Sequence, residues 1–180
     1  MQPGCDSCQG VMTRWLSVAL VATACGNGDG TAGSAPDAGA VARDAGPLGV
    51  ELGVGVVTFA ELPREGAEVE LVFGPQGGWH FDLAARLANA DPEGLVLDYA
   101  VRDAMGDGGT LHFPARVVLN ARRVTTDGER LVRVGDRAVL DVRDGNALVG
   151  RELTLTLDAT DRGGARAHDE RRVRVVDRVR

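Results

Sequence analysis

Between Val50 and Val176 one pattern recurs: short runs with apolar residues at every second position, separated by turns rich in glycine and aspartate. Successive side chains of a β-strand point to opposite faces, so such a run buries one face and wets the other. Trp79, Phe81, Leu83, Ala85 and Leu87 share one phase, opposite His80, Asp82, Ala84 and Arg86. Leu95, Leu97, Tyr99 and Val101 alternate with Val96, Asp98, Ala100 and Arg102, and Leu153, Leu155 and Leu157 with Thr154, Thr156 and Asp158. Val69, Leu71 and Phe73 alternate with Glu68, Glu70 and Val72. Val117, Leu119 and Ala121 face away from Arg116 and Arg122, and Val173 and Val175 close the series. A first strand around Val50 to Phe59 carries Gly53 and Gly55 and changes phase near Val56 and Val57, which predicts a bulge.

The turns between these runs have the expected chemistry: Gly74-Pro-Gln-Gly-Gly78, Asp91-Pro-Glu-Gly94, Gly106-Asp-Gly-Gly109, Asp127-Gly128 and Arg162-Gly-Gly164. In the first of them Pro75 sets one torsion and Gly77 and Gly78 admit positive φ, so the chain can reverse tightly. No segment shows a long helical period, although Asp144 to Val149 has room for one helical turn. Without crossover helices a parallel α/β sheet is not available. The reading is all-β: an antiparallel sandwich of roughly seven or eight strands over residues 48–180. Trp79 has the inward parity of a core anchor.

The N-terminal part has a different character. Arg14 precedes the apolar or small run Trp15-Leu-Ser-Val-Ala-Leu-Val-Ala-Thr-Ala24, and Cys25 follows it. The run is about ten residues, half of the roughly 20 that a membrane-crossing helix needs. A cationic start, a short greasy stretch and a small residue before the cut describe a secretory signal, here residues 1–24. Val21-Ala-Thr-Ala-Cys25 resembles the lipobox recognised by lipoprotein signal peptidase, with Ala22 where that family usually has leucine. The resemblance implies cleavage before Cys25 and acylation of its sulfur. An ordinary signal peptide cut elsewhere would instead leave Cys25 free. Met12-Thr-Arg14 makes a compact basic start, so residues 1–11 are expected to be a mis-assigned beginning. Their Cys5 and Cys8 supply only half of a four-ligand zinc site. Residues 25–47 are largely glycine, alanine and aspartate and read as a flexible tether spanning roughly 25 Å.

Leu153-Thr-Leu-Thr-Leu-Asp-Ala-Thr-Asp161-Arg-Gly-Gly164, followed by Val173-Arg-Val-Val176, resembles the last hairpin of bacterial immunoglobulin-like modules of the PKD and fibronectin-like kind. The Trp-Asp-Phe-Gly-Asp-Gly signature of PKD modules is absent. The order of lipobox, tether, Gly74-Pro-Gln-Gly-Gly-Trp-His80 and final hairpin is similar to a group of uncharacterised lipoproteins from GC-rich Gram-negative bacteria. That resemblance implies a fold and an address in the cell envelope, and no activity.

Elimination narrows the chemistry. The serines are Ser7, Ser17 and Ser34, no cysteine follows Cys25, and there is no lysine, so residues 48–180 offer no serine or cysteine acyl transfer and no Schiff base. His80, His112 and His168 lack the spacing that presets metal ligands. Asp158, Asp161, Asp169 and Glu170 bracket one hairpin and raise the question of calcium, but lack the glycine-spaced acidic loop and read as solvated turn carboxylates. A net charge of −6 argues against nucleic acid. The arginines from Arg171 to Arg180 read as the solvent face of an edge strand. His80 and Asp82 share the outward parity of one strand and are the candidate ligand contacts.

These readings converge on an expectation: a lipoprotein held to the bilayer, expected to be the outer membrane, through acylated Cys25 and facing periplasm or cell surface. It would carry one non-enzymatic immunoglobulin-like module without cofactor, binding a protein or glycan of the envelope or serving as a structural part. The alternatives are a carbohydrate-binding module, which needs exposed aromatic rings such as Trp79, a secreted soluble sandwich, and a carboxylate-only hydrolase, which needs two acids across a cleft.

Overall fold

A computed structural model describes residues 46–105 and 108–177. The signal segment, Cys5, Cys8, Cys25, the tether as far as residue 45, part of the turn at Gly106 and the final three residues lie outside them. Within the described residues the chain is all-β, with two sheets and two single 3-10 turns. The strands are β1 (Gly49–Val54), β2 (Ala60–Glu61), β3 (Ala67–Glu70), β4 (Val72–Phe73), β5 (Trp79–Ala88), β6 (Val96–Asp103), β7 (Ala115–Val118), β8 (Thr125–Asp127), β9 (Arg130–Val139), β10 (Glu152–Thr160) and β11 (Arg166–Val176).

One sheet runs β2-β1-β5-β9-β8, with β4 added beside the start of β5. The other runs β3-β11-β10-β6-β7. Every pairing is antiparallel except β3 with β11, where Ala67–Glu70 runs parallel to Val173–Val176. The apolar phase of each long strand points between the sheets. Leu52, Phe81, Leu83 and Leu87 of the first meet Leu97, Val101, Leu155, Leu157, Val173 and Val175 of the second in one buried cluster. Each fully buried leucine or phenylalanine contributes about 2 kcal/mol by leaving water.

Two buried polar bridges flank this apolar centre. On one side Asp169 of β11 accepts the Leu52 N–H of β1 at 2.7 Å. On the other the Tyr99 hydroxyl of β6 donates to Asp136 of β9 at 2.9 Å, while Arg133 donates to the same carboxylate at 2.8 and 2.6 Å. The sheets, which contain no cysteine, are therefore joined across both flanks by carboxylates.

The structure corrects several sequence expectations. The predicted bulge near Val56 is a hairpin: β1 turns at Gly55 and pairs with β2 through Gly53↔Glu61 and Val54↔Ala60. Gly55 sits at φ 134°, and a Cβ there would come 1.9 Å from the Thr58 carbonyl oxygen, so only glycine fits. The run Glu68 to Phe73 is not one strand. Its first half belongs to the sheet of β11 and its second to that of β5, and the chain crosses at Leu71, whose N–H donates to Val176 at 2.9 Å. The crossing inverts the phase and leaves Phe73 61% exposed. β9 had no counterpart in the apolar pattern, yet it lies inside the first sheet between β5 and β8. β11 is flanked by β10 and, over its last residues, by β3, so it is not a free edge there. Arg172 and Arg174 are exposed as expected, but Arg171 and Asp169 point inward and are buried. The helical turn near Asp144 forms as a 3-10 turn, Gly145–Leu148, capped by the Asp144 carboxylate accepting from the Asn146 N–H.

Candidate functional site

The turn before β5 closes as its composition requires: Gly77 donates to the Gly74 carbonyl at 3.0 Å, Gly74 donates to that of Gly78 at 2.9 Å, and Gly77 and Gly78 take φ of 83° and 96°. It delivers His80 and Asp82 to the same outer face of the first sheet, two residues apart. The structure brings the pair together, with His80 Nε2 3.5 Å from Asp82 Oδ1, and adds Arg137 from β9, whose Nε lies 3.4 Å from the same oxygen. Outward parity does not expose the imidazole. The turn folds back so closely that a Cβ on Gly74 would lie 3.5 Å from its Cε1, and His80 is only 6% exposed.

Burial pushes the His80 pKa below its ordinary value of 6.5; the Asp82 carboxylate opposes that shift and Arg137 adds to it. The unfolded chain therefore takes up a proton that the folded chain resists. Stability is complete above the ordinary histidine pKa and falls as pH drops from there toward the depressed folded value. We expect denaturation midpoints to decline with acidification through that window, and the decline to shrink in His80→Gln. An identical slope in the variant would assign the pH dependence to other groups.

Trp79 is half-buried against the core. Phe73 packs edge-on against it with centroids 5.0 Å apart, and the ring covers Gly145, where a Cβ would approach within 2.3 Å. Phe113, like Phe73, is more than half exposed, at 52%. The three histidines have separate partners. His112 contacts the Phe113 carbonyl through Nδ1, and His168 meets Asp158 at 2.8 Å across the last hairpin. The acids of that hairpin do not converge: Asp161 accepts the Ala165 N–H of its own turn, Asp158 faces His168, and Asp169 turns into the interior, correcting its reading as a solvated carboxylate. Among the described residues no group of three or more His, Cys, Asp or Glu side chains is placed to share a metal ion.

A second location was not anticipated. Beside the start of β1, on the edge away from β5 and before β2 begins to pair at Gly53, lies a groove of about 560 Å³, lined by Arg64, Arg86, Arg130 and Arg171 together with Glu51, Glu61 and Asp169. Strand pairing assembles it. Glu51 stands opposite Arg86 across β1 and β5, and the Arg64 carbonyl accepts the Arg172 N–H at 3.2 Å, which fixes the approach to β3 alongside β11. Glu51 Oε2 receives both Arg86 and Arg130, each at 3.3 Å, and the Phe59 ring caps the Arg86 guanidinium at 4.1 Å. The sequence held one signal for its floor: Asp169 and Arg171 share the parity of Val173 and Val175.

Comparisons with protein-family models, curated proteins and solved structures return no match.

Proposed function

We propose that the chain is a lipoprotein, tethered through acylated Cys25, whose immunoglobulin-like module serves in the bacterial cell envelope as a non-enzymatic binding or structural part. One observation carries the anchor: a cysteine directly after a basic start, a short apolar run and a small residue, followed by a stretch with nothing to bury. The strand order supports the module. Lettered in chain order, with β1, β5, β6, β7, β8, β9, β10 and β11 as A, B, C, C′, D, E, F and G, the sheets read A-B-E-D and G-F-C-C′. That order is the one expected of a variable-type immunoglobulin sandwich without its C″ strand. The inter-sheet disulfide of antibody domains has no counterpart; the Asp169 and Asp136 bridges take over the tie between sheets. The lack of serine, cysteine and lysine from residue 48 onward supports the non-enzymatic reading.

Mass spectrometry of the mature N-terminus from membrane fractions is the test. The expected product begins at Cys25 and carries acyl chains, and Cys25→Ser should abolish acylation and release the chain from washed membranes. Recovery of the wild-type protein unacylated and soluble would overturn the anchor.

A further inference from the structure

Arg171 is the only buried arginine among the described residues, at 5% exposure. Its Nη2 reaches Asp169 Oδ2 at 2.7 Å, but its Nε is buried with no acceptor from the protein. Both oxygens of Asp169 are already engaged: the same Oδ2 accepts the Leu52 N–H, and Oδ1 accepts the Glu170 N–H at 3.0 Å. Arg86 repeats the deficit. Its two terminal nitrogens reach Glu51 at 3.3 Å and Asp127 at 3.5 Å, while its Nε is likewise buried without an acceptor. A buried charged donor left unpaired is costly, and folded interiors hold few of them. Here two line one groove. Arg130 must share Glu51 with Arg86, and among the described residues neither Arg64 nor Glu61 on the rim forms an ion pair. Four guanidinium groups thus face a groove whose two engaged carboxylates are each already divided among several donors.

We propose that this groove between β1 and β11 is an oxyanion-binding site that takes a phosphate ester. Guanidinium forks match phosphate and carboxylate oxygens, and phosphate supplies more acceptors per group, which suits a lining whose four guanidinium groups outnumber its three carboxylates. The volume suits a small ligand. The phosphate could belong to a soluble ester or to a lipid headgroup at the surface to which the chain is tethered. The inference deepens the binding-module reading and is independent of the anchor.

Calorimetric titration of the full-length protein in detergent tests it, with glycerol phosphate, short-chain phosphatidylglycerol and, as a zwitterionic control, short-chain phosphatidylcholine as probes. Saturable binding of glycerol phosphate supports a soluble ester; binding of phosphatidylglycerol in preference to the other two supports a headgroup. In either case Arg64→Gln with Arg130→Gln, both at exposed positions, should weaken binding about tenfold or more without loss of fold. Absence of saturable binding to both phosphate probes, or binding unchanged in the double variant, overturns the proposal. An acylated, folded protein that binds neither probe would leave the tethered module standing, and an unacylated protein that binds one would leave this site standing without its anchor.

Discussion

Replacing Asp169 by alanine is expected to remove about 3–5 kcal/mol of folding stability, because it strands a buried cation rather than trimming a surface charge. The carboxylate is 4% exposed and does two jobs at once. It neutralises Arg171 at 2.7 Å, and it accepts the Leu52 N–H on the side of β1 that β5 does not pair. Without it the guanidinium keeps no counter-charge in the interior, and a backbone donor at the sheet edge loses its acceptor. Removing the charge together with its partner should hurt less than removing either alone: Asp169→Leu with Arg171→Met leaves no uncompensated ion, and buried pairs exchanged for apolar residues of similar volume are often neutral or better. Equilibrium urea denaturation of the three proteins is the measurement. An Asp169→Ala loss within about 1 kcal/mol would mean that water reaches the pair and that it does not tie the sheets.

That pair also shows where sequence reading reached its limit. The long strands with one clean apolar face, β5, β6 and β10, were legible, because burial of Phe81, Leu97 or Leu155 against an opposing sheet is what period-two alternation encodes. The turn at Gly77 and Gly78 was legible for a local reason, positive φ. What stayed hidden was every place where a charge goes inward. Asp169 and Arg171 look like a solvated face to any rule that equates charge with exposure. β9 fails the same rule twice: Asp136 points into the core, and an extra residue near Gly135, at φ 74°, shifts the register so that Ala85 faces Arg133 two steps after Leu83 faces Asp136. The His80–Asp82 pair was found by parity, but its burial depends on the turn folding over it, a tertiary event with no periodic signature. The arginine groove draws on β1, β5, β9, β11 and the approach to β3. No local window contains it.

The opposite flank yields a sharper experiment, because Tyr99 is the only tyrosine of the chain. Its tyrosinate absorbance therefore reports one hydroxyl. Burial pushes that phenol well above its ordinary value of 10.0; the Asp136 charge and hydrogen bond push the same way, and Arg133 opposes them. The unfolded chain releases this proton first. Stability is thus fully present below the ordinary phenol pKa and is lost as pH rises from there toward the raised folded value. With no lysine in the sequence, few other groups titrate in that range, so tyrosinate should appear together with unfolding and not before it. Asp136→Ala should cost about 3–4 kcal/mol in urea denaturation, since it leaves the Tyr99 hydroxyl and the Arg133 guanidinium without their acceptor. Tyr99→Phe should cost only about 1–2 kcal/mol, because Asp136 keeps both hydrogen bonds from Arg133. A tyrosinate signal that titrates in the native protein near the ordinary phenol value would place Tyr99 in water and remove the second bridge between the sheets.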